Sequence, residues 1–121
     1  MMSTEKLNAI ITSDFDFMAA LAEEIDEFGR EDEDIEKVMD RHNLEPREAV
    51  TILDVMESAR YHANARAVNA ADKGAAEAIT YLEKAGGLAE HQLYDLYNAL
   101  WRQIHAAVFP VEYKALAKAN G

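Results

Sequence analysis

Histidines and carboxylates are the side chains of this sequence whose chemistry suits a metal site or acid–base catalysis. The chain has 23 acidic residues, and its four histidines are His42, His62, His91 and His105. Helical bundles build di-metal sites from a Glu followed three residues later by a His, and zinc proteases use two histidines four residues apart. Neither spacing occurs in this sequence. We therefore expect no metal ion and no other cofactor.

Nucleophilic catalysis has equally little support. Ser13 and Ser58 lie on or before predicted helices, without the glycine-flanked elbow that exposes a catalytic serine. Gly86 and Gly87 are typical of a helix stop and not of a phosphate-binding loop. The sequence contains no cysteine, which excludes a thiol nucleophile and a disulfide framework. These absences predict a protein that is not an enzyme.

Composition also indicates a compartment. The absence of cysteine fits a reducing cytoplasm. Charged residues interrupt every apolar run before it reaches the length of a membrane span or of a secretory signal core. We expect a cytoplasmic protein with no membrane partner.

The acidic residues are concentrated in the first half of the chain. Residues 1–59 contain 17 acidic and 5 basic residues, whereas residues 60–121 contain 6 acidic and 7 basic residues. The net charge of −11 therefore belongs to the first half, and it opposes nonspecific attraction to nucleic acid. The division indicates two surfaces with different tasks, although an acidic half is also typical of a merely well-solvated helical surface.

Length and composition predict an all-α fold. The chain has 121 residues, half of them hydrophobic, with few glycines and prolines and 8% aromatic residues. These values fit one compact multi-helix domain. We expect a single domain over residues 1–121, with an acidic helix-turn-helix-like unit over residues 1–60 and C-terminal oligomerisation helices over residues 61–121.

Capping residues and apolar periodicity predict the first helices. Ser3 or Thr4 is placed to cap a short helix, and Ser13 is placed to cap a second helix over about Phe15–Phe28 that Gly29 ends, with Asp16 positioned for a capping box. The acidic run at residues 31–34 has two interpretations, a metal-binding cluster or an acidic helix start. Adjacent residues of a helix point in different directions, which favours the helix start.

The remaining helices follow from similar signals. A short helix is expected to end near Asn43, and Pro46 to begin the next helix. The inner stripe of the helix that begins at Pro46 consists of Ala49, Leu53, Met56, Ala59 and Ala63. Two further breaks are expected, one at residues 72–74, where Asp-Lys-Gly interrupts the pattern, and one at Pro110, which is predicted to separate a long final helix from a short terminal one.

Aromatic residues recur along the final helix and have two interpretations. Tyr94, Tyr97 and Trp101 lie at three- and four-residue spacing, which is typical of a helix face that packs in a core. If part of this face is left exposed, it is predicted to bind a partner or a second copy of the chain. We take these three residues as the candidate partner-binding set.

The segment from Asp34 to Arg60 has the pattern of a helix-turn-helix unit, and a plain helical hairpin is the alternative. In the DNA-binding motif, the early outward residues of the second helix meet base edges. The residues at those positions here are Arg47, Glu48, Thr51 and Asp54, of which two are acidic. The candidate DNA contacts are Arg41, Arg47, Thr51, Arg60 and Arg66.

Two stretches of the sequence resemble phage terminase small subunits, the ring-forming proteins that recognise viral DNA for packaging and regulate the large motor subunit. Residues 34–46 (DIEKVMDRHNLEP) resemble the helix-turn-helix opening, and residues 70–84 (AADKGAAEAITYLEK) are similar to the small-residue helix that follows it. The resemblance implies a homo-oligomer assembled by the C-terminal helices, DNA and a larger motor protein as partners, and a place in the host cytoplasm.

Three functions are compatible with these features. The first is a noncatalytic, oligomeric DNA-binding adaptor of the packaging type. The second is an acidic inhibitor or DNA-mimic protein, whose carboxylates imitate phosphate charge and bind a basic nucleic-acid-processing protein. The third is a helical assembly protein with neither partner.

Overall fold

The computed structural model describes residues 2–119, and all the regular structure over these residues is α-helical, so the predicted all-α fold class is confirmed. None of the described helices combines the length and the apolar character needed to cross a membrane. The five helices are α1 (Thr4–Ser13), α2 (Phe15–Phe28), α3 (Asp32–His42), α4 (Pro46–Ala85) and α5 (Glu90–Ala119).

The described chain divides into two compact units. Unit 1 contains residues 2–61 together with residues 114–119, and unit 2 contains residues 62–113. The division after Tyr61 lies one residue from the boundary expected at Arg60. The last turns of α5, which the sequence grouped with the assembly helices, belong instead to unit 1.

The core of unit 1 is formed by apolar stripes on its short helices, α1, α2 and α3, which face the first part of α4. The helical spacing of these residues explains why they share one face of each helix. Each fully buried Ile or Leu contributes about 1.5–3 kcal/mol relative to an exposed side chain. Its principal buried side chains are Leu7, Ile11, Met18, Leu21, Ile25, Val38, Ile52, Leu53 and Met56.

Carboxylates close the free N-termini of α3 and α4. The backbone N–H of Glu31 donates to Asp34 Oδ2 over 2.9 Å, and the buried Asp34 is only 7% exposed. The backbone N–H of Glu45 donates to Glu48 Oε1 over 3.1 Å, and this bond, followed by Lys6, holds the pKa of Glu48 below its usual value. The acidic helix start and the position of Pro46 are thus confirmed.

Unit 2 is an antiparallel helical hairpin, formed by residues 62–85 of α4 and residues 90–113 of α5. Gly86 and Gly87 have φ values of 76° and 90°, a region that glycine tolerates, and they end α4 as predicted. Polar contacts join the two helices along their length. Trp101 Nε1 donates to Asp72 Oδ1 over 2.6 Å, and Arg66 Nη1 lies 3.4 Å from Glu112 Oε2.

Ser13 is not the cap of α2, contrary to the sequence prediction. It is the last residue of α1, and its hydroxyl donates to the backbone oxygen of Ile10 over 3.2 Å. Asp14 occupies the N-cap position of α2 without a side-chain cap bond. A serine hydroxyl at a helix junction can hydrogen-bond to the backbone of either helix, and here it bonds to the preceding helix, α1.

The break expected at residues 72–74 is absent, because α4 continues to Ala85. A glycine inside a helix costs about 1 kcal/mol relative to alanine, but close packing offsets this cost. A Cβ atom placed on Gly74 would lie 2.6 Å from Ile104 Cδ1, so the missing side chain is what admits Ile104 to this position. Glycine here serves helix packing and not chain reversal.

Pro110 does not end α5, and the predicted separate terminal helix is also wrong. Aromatic rings four residues apart contact one another along this part of α5: two stacked pairs precede Pro110, and the tilted pair of Phe109 and Tyr113 spans it. The Trp101 and His105 ring centroids lie 5.1 Å apart, those of His105 and Phe109 lie 5.7 Å apart, and those of Phe109 and Tyr113 lie 5.8 Å apart. This ladder requires helical geometry on both sides of Pro110, and it outweighs the hydrogen bond that proline removes.

The cap at the start of α3 supplies a test of the fold. We expect Asp34→Ala to lower the free energy of unfolding by about 1 kcal/mol, because the N–H of Glu31 loses its acceptor. Urea denaturation followed by circular dichroism measures the change. The matched control is Asp32→Ala, which removes the same charge from an exposed position and is expected to change stability by less than about 0.5 kcal/mol. Equal losses in both variants would contradict the role of the cap.

Candidate functional site

The most connected polar cluster of unit 1 is centred on Asp14. Arg41 Nη2 donates to Asp14 Oδ1 over 2.9 Å and Arg41 Nε bonds the other carboxylate oxygen, while His42 Nε2 lies 2.8 Å from Asp14 Oδ2. The Asp14 side chain is 15% exposed. The guanidinium of Arg41 also lies 4.1 Å from the centre of the Phe17 ring. The cluster joins the end of α3 to the junction of α1 and α2.

The chemistry of this cluster is structural. Hydrogen bonds from Arg41, aided by His42, hold the pKa of Asp14 below its ordinary value although burial acts in the opposite direction. A carboxylate stabilised in this way is a weak base. The adjoining cleft of about 510 Å³ contains the Ser13 hydroxyl, but that hydroxyl is engaged with Ile10 and does not face Asp14 as a nucleophile would face its base.

Three of the five candidate DNA contacts are already paired with carboxylates. Arg41 is bound to Asp14, Arg60 forms an ion pair with Asp26, and Arg66 of unit 2 faces Glu112. A carboxylate partner offsets the charge of a guanidinium and occupies some of its five donors, which weakens its attraction for a phosphate. The pairing reduces the positive charge that unit 1 offers to a nucleic acid.

Arg47 and Thr51 are the other two candidates, and the structure brings them together. Both lie on the first two turns of α4 and line a cleft of about 780 Å³. Arg47 is exposed and forms no ion pair with any of residues 2–119. The Thr51 hydroxyl donates to the Arg47 backbone oxygen over 2.9 Å. Arg47 is therefore the one guanidinium of the candidate set that is open to an added ligand.

Exposed carboxylates are concentrated on the outer sides of α2 and α3 and in the turn between them. They are exposed, and none forms an ion pair with any of residues 2–119. We call them the acidic surface, and they are Asp16, Glu23, Glu24, Glu27, Glu31, Asp32, Glu33, Glu36 and Asp40. Three other carboxylates of the acidic first half are used internally, namely Asp14, Asp26 and Asp34.

Phe28 is a feature of this region that the sequence did not single out as a site. Its spacing places it on the apolar stripe of α2, yet it is 72% exposed. It is the last residue of α2, and the chain turns away at Gly29 before another element covers the ring. The sequence contained one signal of this exposure, namely that Phe28 lies between Glu27 and Gly29, where the helix ends.

The candidate partner-binding residues differ in exposure. Tyr94 is 67% exposed, whereas Tyr97 and Trp101 are half-buried. The Trp101 indole is held by Asp72 and by stacking on His105. The set therefore lies on one helix but is divided between a packed and an open part.

A metal centre finds no support in the described part of the chain. Within residues 2–119, no three His, Asp or Glu side chains are grouped so that they could hold a metal ion. The acidic run at residues 31–34 illustrates the reason, because Asp34 turns inward to its cap while its neighbours face solvent.

The Asp14 cluster gives the protein a defined pH response. The folded pKa of Asp14 is lowered, so its stabilisation is complete above about pH 4, the ordinary value for an aspartate, and is lost as pH falls through the folded pKa. We expect Asp14→Asn to lower the free energy of unfolding by about 1–2 kcal/mol at neutral pH. Chemical denaturation over a pH series measures whether this difference shrinks on acidification.

The control for this measurement is Asp16→Asn. It removes the same charge two residues away, from a side chain with no ion pair to residues 2–119. Its effect on stability is expected to be small at every pH. If the Asp14→Asn difference stays constant down to the lowest pH at which the protein is folded, the ion pair is not its source.

Comparison with known proteins gives no family for this arrangement. No protein-family model, no curated protein sequence and no solved structure matches the chain. The arguments about function therefore depend on the charges and exposed side chains described above.

Proposed function

We propose that this protein is a noncatalytic binding protein whose acidic surface docks on the basic surface of a nucleic-acid-processing protein. The observation that carries the proposal is the combination of exposed, unpaired carboxylates on α2 and α3 with the exposed ring of Phe28 beside them. The first property supplies long-range attraction, and the second supplies a contact that can be buried.

The carboxylates support this function because their charge is not neutralised within the chain. Residues 1–61 and 114–121 contain 17 acidic and 8 basic residues. Within the described part of the chain, five of these eight cations form ion pairs with carboxylates of unit 1. A surface with so little compensation attracts Lys- and Arg-rich surfaces and accelerates their association. The same charge repels DNA, which favours a protein partner.

Phe28 distinguishes a binding surface from one that is only well solvated. Solvated helix faces need charge but do not need a large apolar ring, and an exposed aromatic residue is a frequent anchor at protein interfaces. The ring of Phe28 offers a partner arginine a cation–π contact, and neighbouring Glu27 offers it a carboxylate. Together they suit the guanidinium groups of a nucleic-acid-binding surface.

The proposal predicts that partner binding depends on local charge and not on total charge. We expect the triple variant Glu23→Gln, Glu24→Gln and Glu27→Gln to weaken binding about tenfold, since three exposed ion pairs contribute about 0.5 kcal/mol each. The immobilised protein is used to recover partners from an extract of its own cells. A recovered basic protein is then purified, and its affinity is measured directly.

The matched control is Glu77→Gln, Glu83→Gln and Glu90→Gln, which removes three exposed charges from unit 2. This control should bind the partner as the wild type does, and the wild type should displace DNA from that partner. Equal binding by the two triple variants, or a partner whose DNA binding is unaffected, would overturn the proposal.

A second candidate function is the oligomeric, noncatalytic DNA-binding adaptor that resembles a terminase small subunit. The observation that favours it is the arrangement of α3, the turn at residues 43–45 and α4, which presents Arg47 and Thr51 on the first turns of the second helix. On this proposal, Arg47 contacts DNA, further copies of the chain add weak contacts by avidity, and a larger motor protein is an additional partner.

The DNA-binding candidate predicts a salt-sensitive affinity that Arg47 controls. We expect the wild type to bind duplex DNA at low ionic strength and Arg47→Ala to weaken this binding about fivefold or more, as fluorescence anisotropy would measure. Lys37→Ala, which removes an equal charge from the exposed side of α3, is the control. If no DNA is bound at low salt, this candidate is excluded while the acidic-surface proposal stands.

A further inference from the structure

Unit 2 is a hairpin one helix layer thick that leaves its apolar residues incompletely covered. From residue 76 to residue 112, no side chain is buried, although this stretch contains many large apolar residues. Helices are stable in water when their apolar faces pack against a second layer. The hairpin lacks that layer within the described chain.

The apolar residues on one side of α5, four half-buried and two exposed, follow a regular pattern. They recur at alternating intervals of three and four residues, which is the pattern of helices that pack at small angles in bundles. Ile104, near the middle, contacts the position of Gly74, whereas Val111 is 67% exposed, so the pattern extends beyond the contact with α4. We call this set the hairpin stripe, and it consists of Leu93, Tyr97, Leu100, Ile104, Ala107 and Val111.

Further exposed apolar residues border the hairpin stripe. Leu96 and Tyr94 lie beside it on α5, Tyr81 lies on the adjoining part of α4, and Leu88 lies in the connecting loop. Among residues 2–119, seven large hydrophobic residues are exposed, and five of them are in unit 2. Such a concentration marks an interaction surface.

The charge of unit 2 is compatible with a second copy of the same hairpin as the occupant. Residues 62–113 contain 4 basic and 6 acidic residues, a net charge of −2, whereas the rest of the chain has a net charge of −9. A nearly neutral surface with both signs of charge can pack against itself without large repulsion. It offers neither a basic nor a strongly acidic partner any electrostatic advantage.

The area of the hairpin matches what a stable dimer requires. Its two helices have equal length, about 36 Å at 1.5 Å per residue, and two adjacent helices are about 20 Å wide. One face therefore measures roughly 700 Å², close to the roughly 800 Å² per partner of a standard interface. Contact along the whole hairpin is needed, and helices of equal length permit it.

We propose that two copies of this chain associate through the hairpin stripe, so that their unit 2 hairpins form an antiparallel four-helix bundle and the protein is a homodimer. The stripe of each copy supplies the missing layer for the other, as in the two-fold symmetric interfaces of most dimers. This inference is independent of the acidic surface. If both hold, each dimer presents two acidic surfaces to its partners.

The experiment is sedimentation equilibrium and native mass spectrometry of the full chain at micromolar concentration. We expect the wild type to have twice the mass of one chain. The double variant Leu96→Lys with Val111→Lys should be a monomer, with its dissociation constant raised about 100-fold or more, because unpaired ammonium groups would be buried at the interface. Circular dichroism should show unchanged helix content.

The matched control is Ala99→Lys with Ala106→Lys, which adds the same two charges at exposed positions on the opposite side of α5. This control should remain a dimer. A monomeric wild type, a ring of more than two copies, or equal dissociation of both variants would overturn the proposal. The mass of the wild type decides the question even if a variant fails to fold, and none of these results alters the binding test of the acidic surface.

Discussion

The ion pairs of unit 1 determine both how its helices are held and which charges remain at its surface. Arg30, which precedes α3, forms ion pairs with Asp54 and Glu57 of α4. Arg41 joins α3 to Asp14, and other cations of unit 1 form similar pairs. A cation that forms an ion pair with a carboxylate of the fold is less available as a ligand for an external anion. Because carboxylates outnumber cations about two to one in this unit, the surface that remains is acidic.

This constraint separates the two functional proposals. An arginine that stabilises the fold through a partly buried carboxylate has less charge and fewer free donors to offer DNA, as Arg41 and Asp14 illustrate. Arg47 escapes the constraint because it lies on an exposed first turn with no neighbouring carboxylate bound to it. The DNA-binding proposal thus depends on few residues, whereas the protein-partner proposal depends on many carboxylates that act together.

Much of the fold was predictable from the sequence because local signals agree with packing. The limits of α2, the C-terminal end of α3 at Asn43 with its left-handed φ of 52°, and the buried stripe of α4 all follow from periodicity and caps. Gly74 was misjudged because its effect depends on a residue far away in the sequence, and Pro110 was misjudged because a proline alone was taken to end the helix. Gly74 is explained by Ile104, and Pro110 by rings on both sides of it.

The candidate site was only partly predictable, for a related reason. Charge counting found the acidic half, but it could not tell which carboxylates have internal partners, since Asp26 and Glu27 are neighbours with different fates. The exposure of Phe28 depends on where the chain turns after α2 and not on the residue type. Pairing and exposure are properties of the tertiary structure.

The unpaired carboxylates of the acidic surface also repel one another, so the folded state retains a strain that amide side chains would relieve. Selection for thermal resistance alone would therefore replace residues such as Glu24 with neutral ones, because proteins commonly gain stability when a strained functional surface is relaxed. On the proposed function, heat tolerance and partner affinity are opposed on α2. Laboratory evolution toward robustness would be expected to remove the charge that the proposed recognition requires.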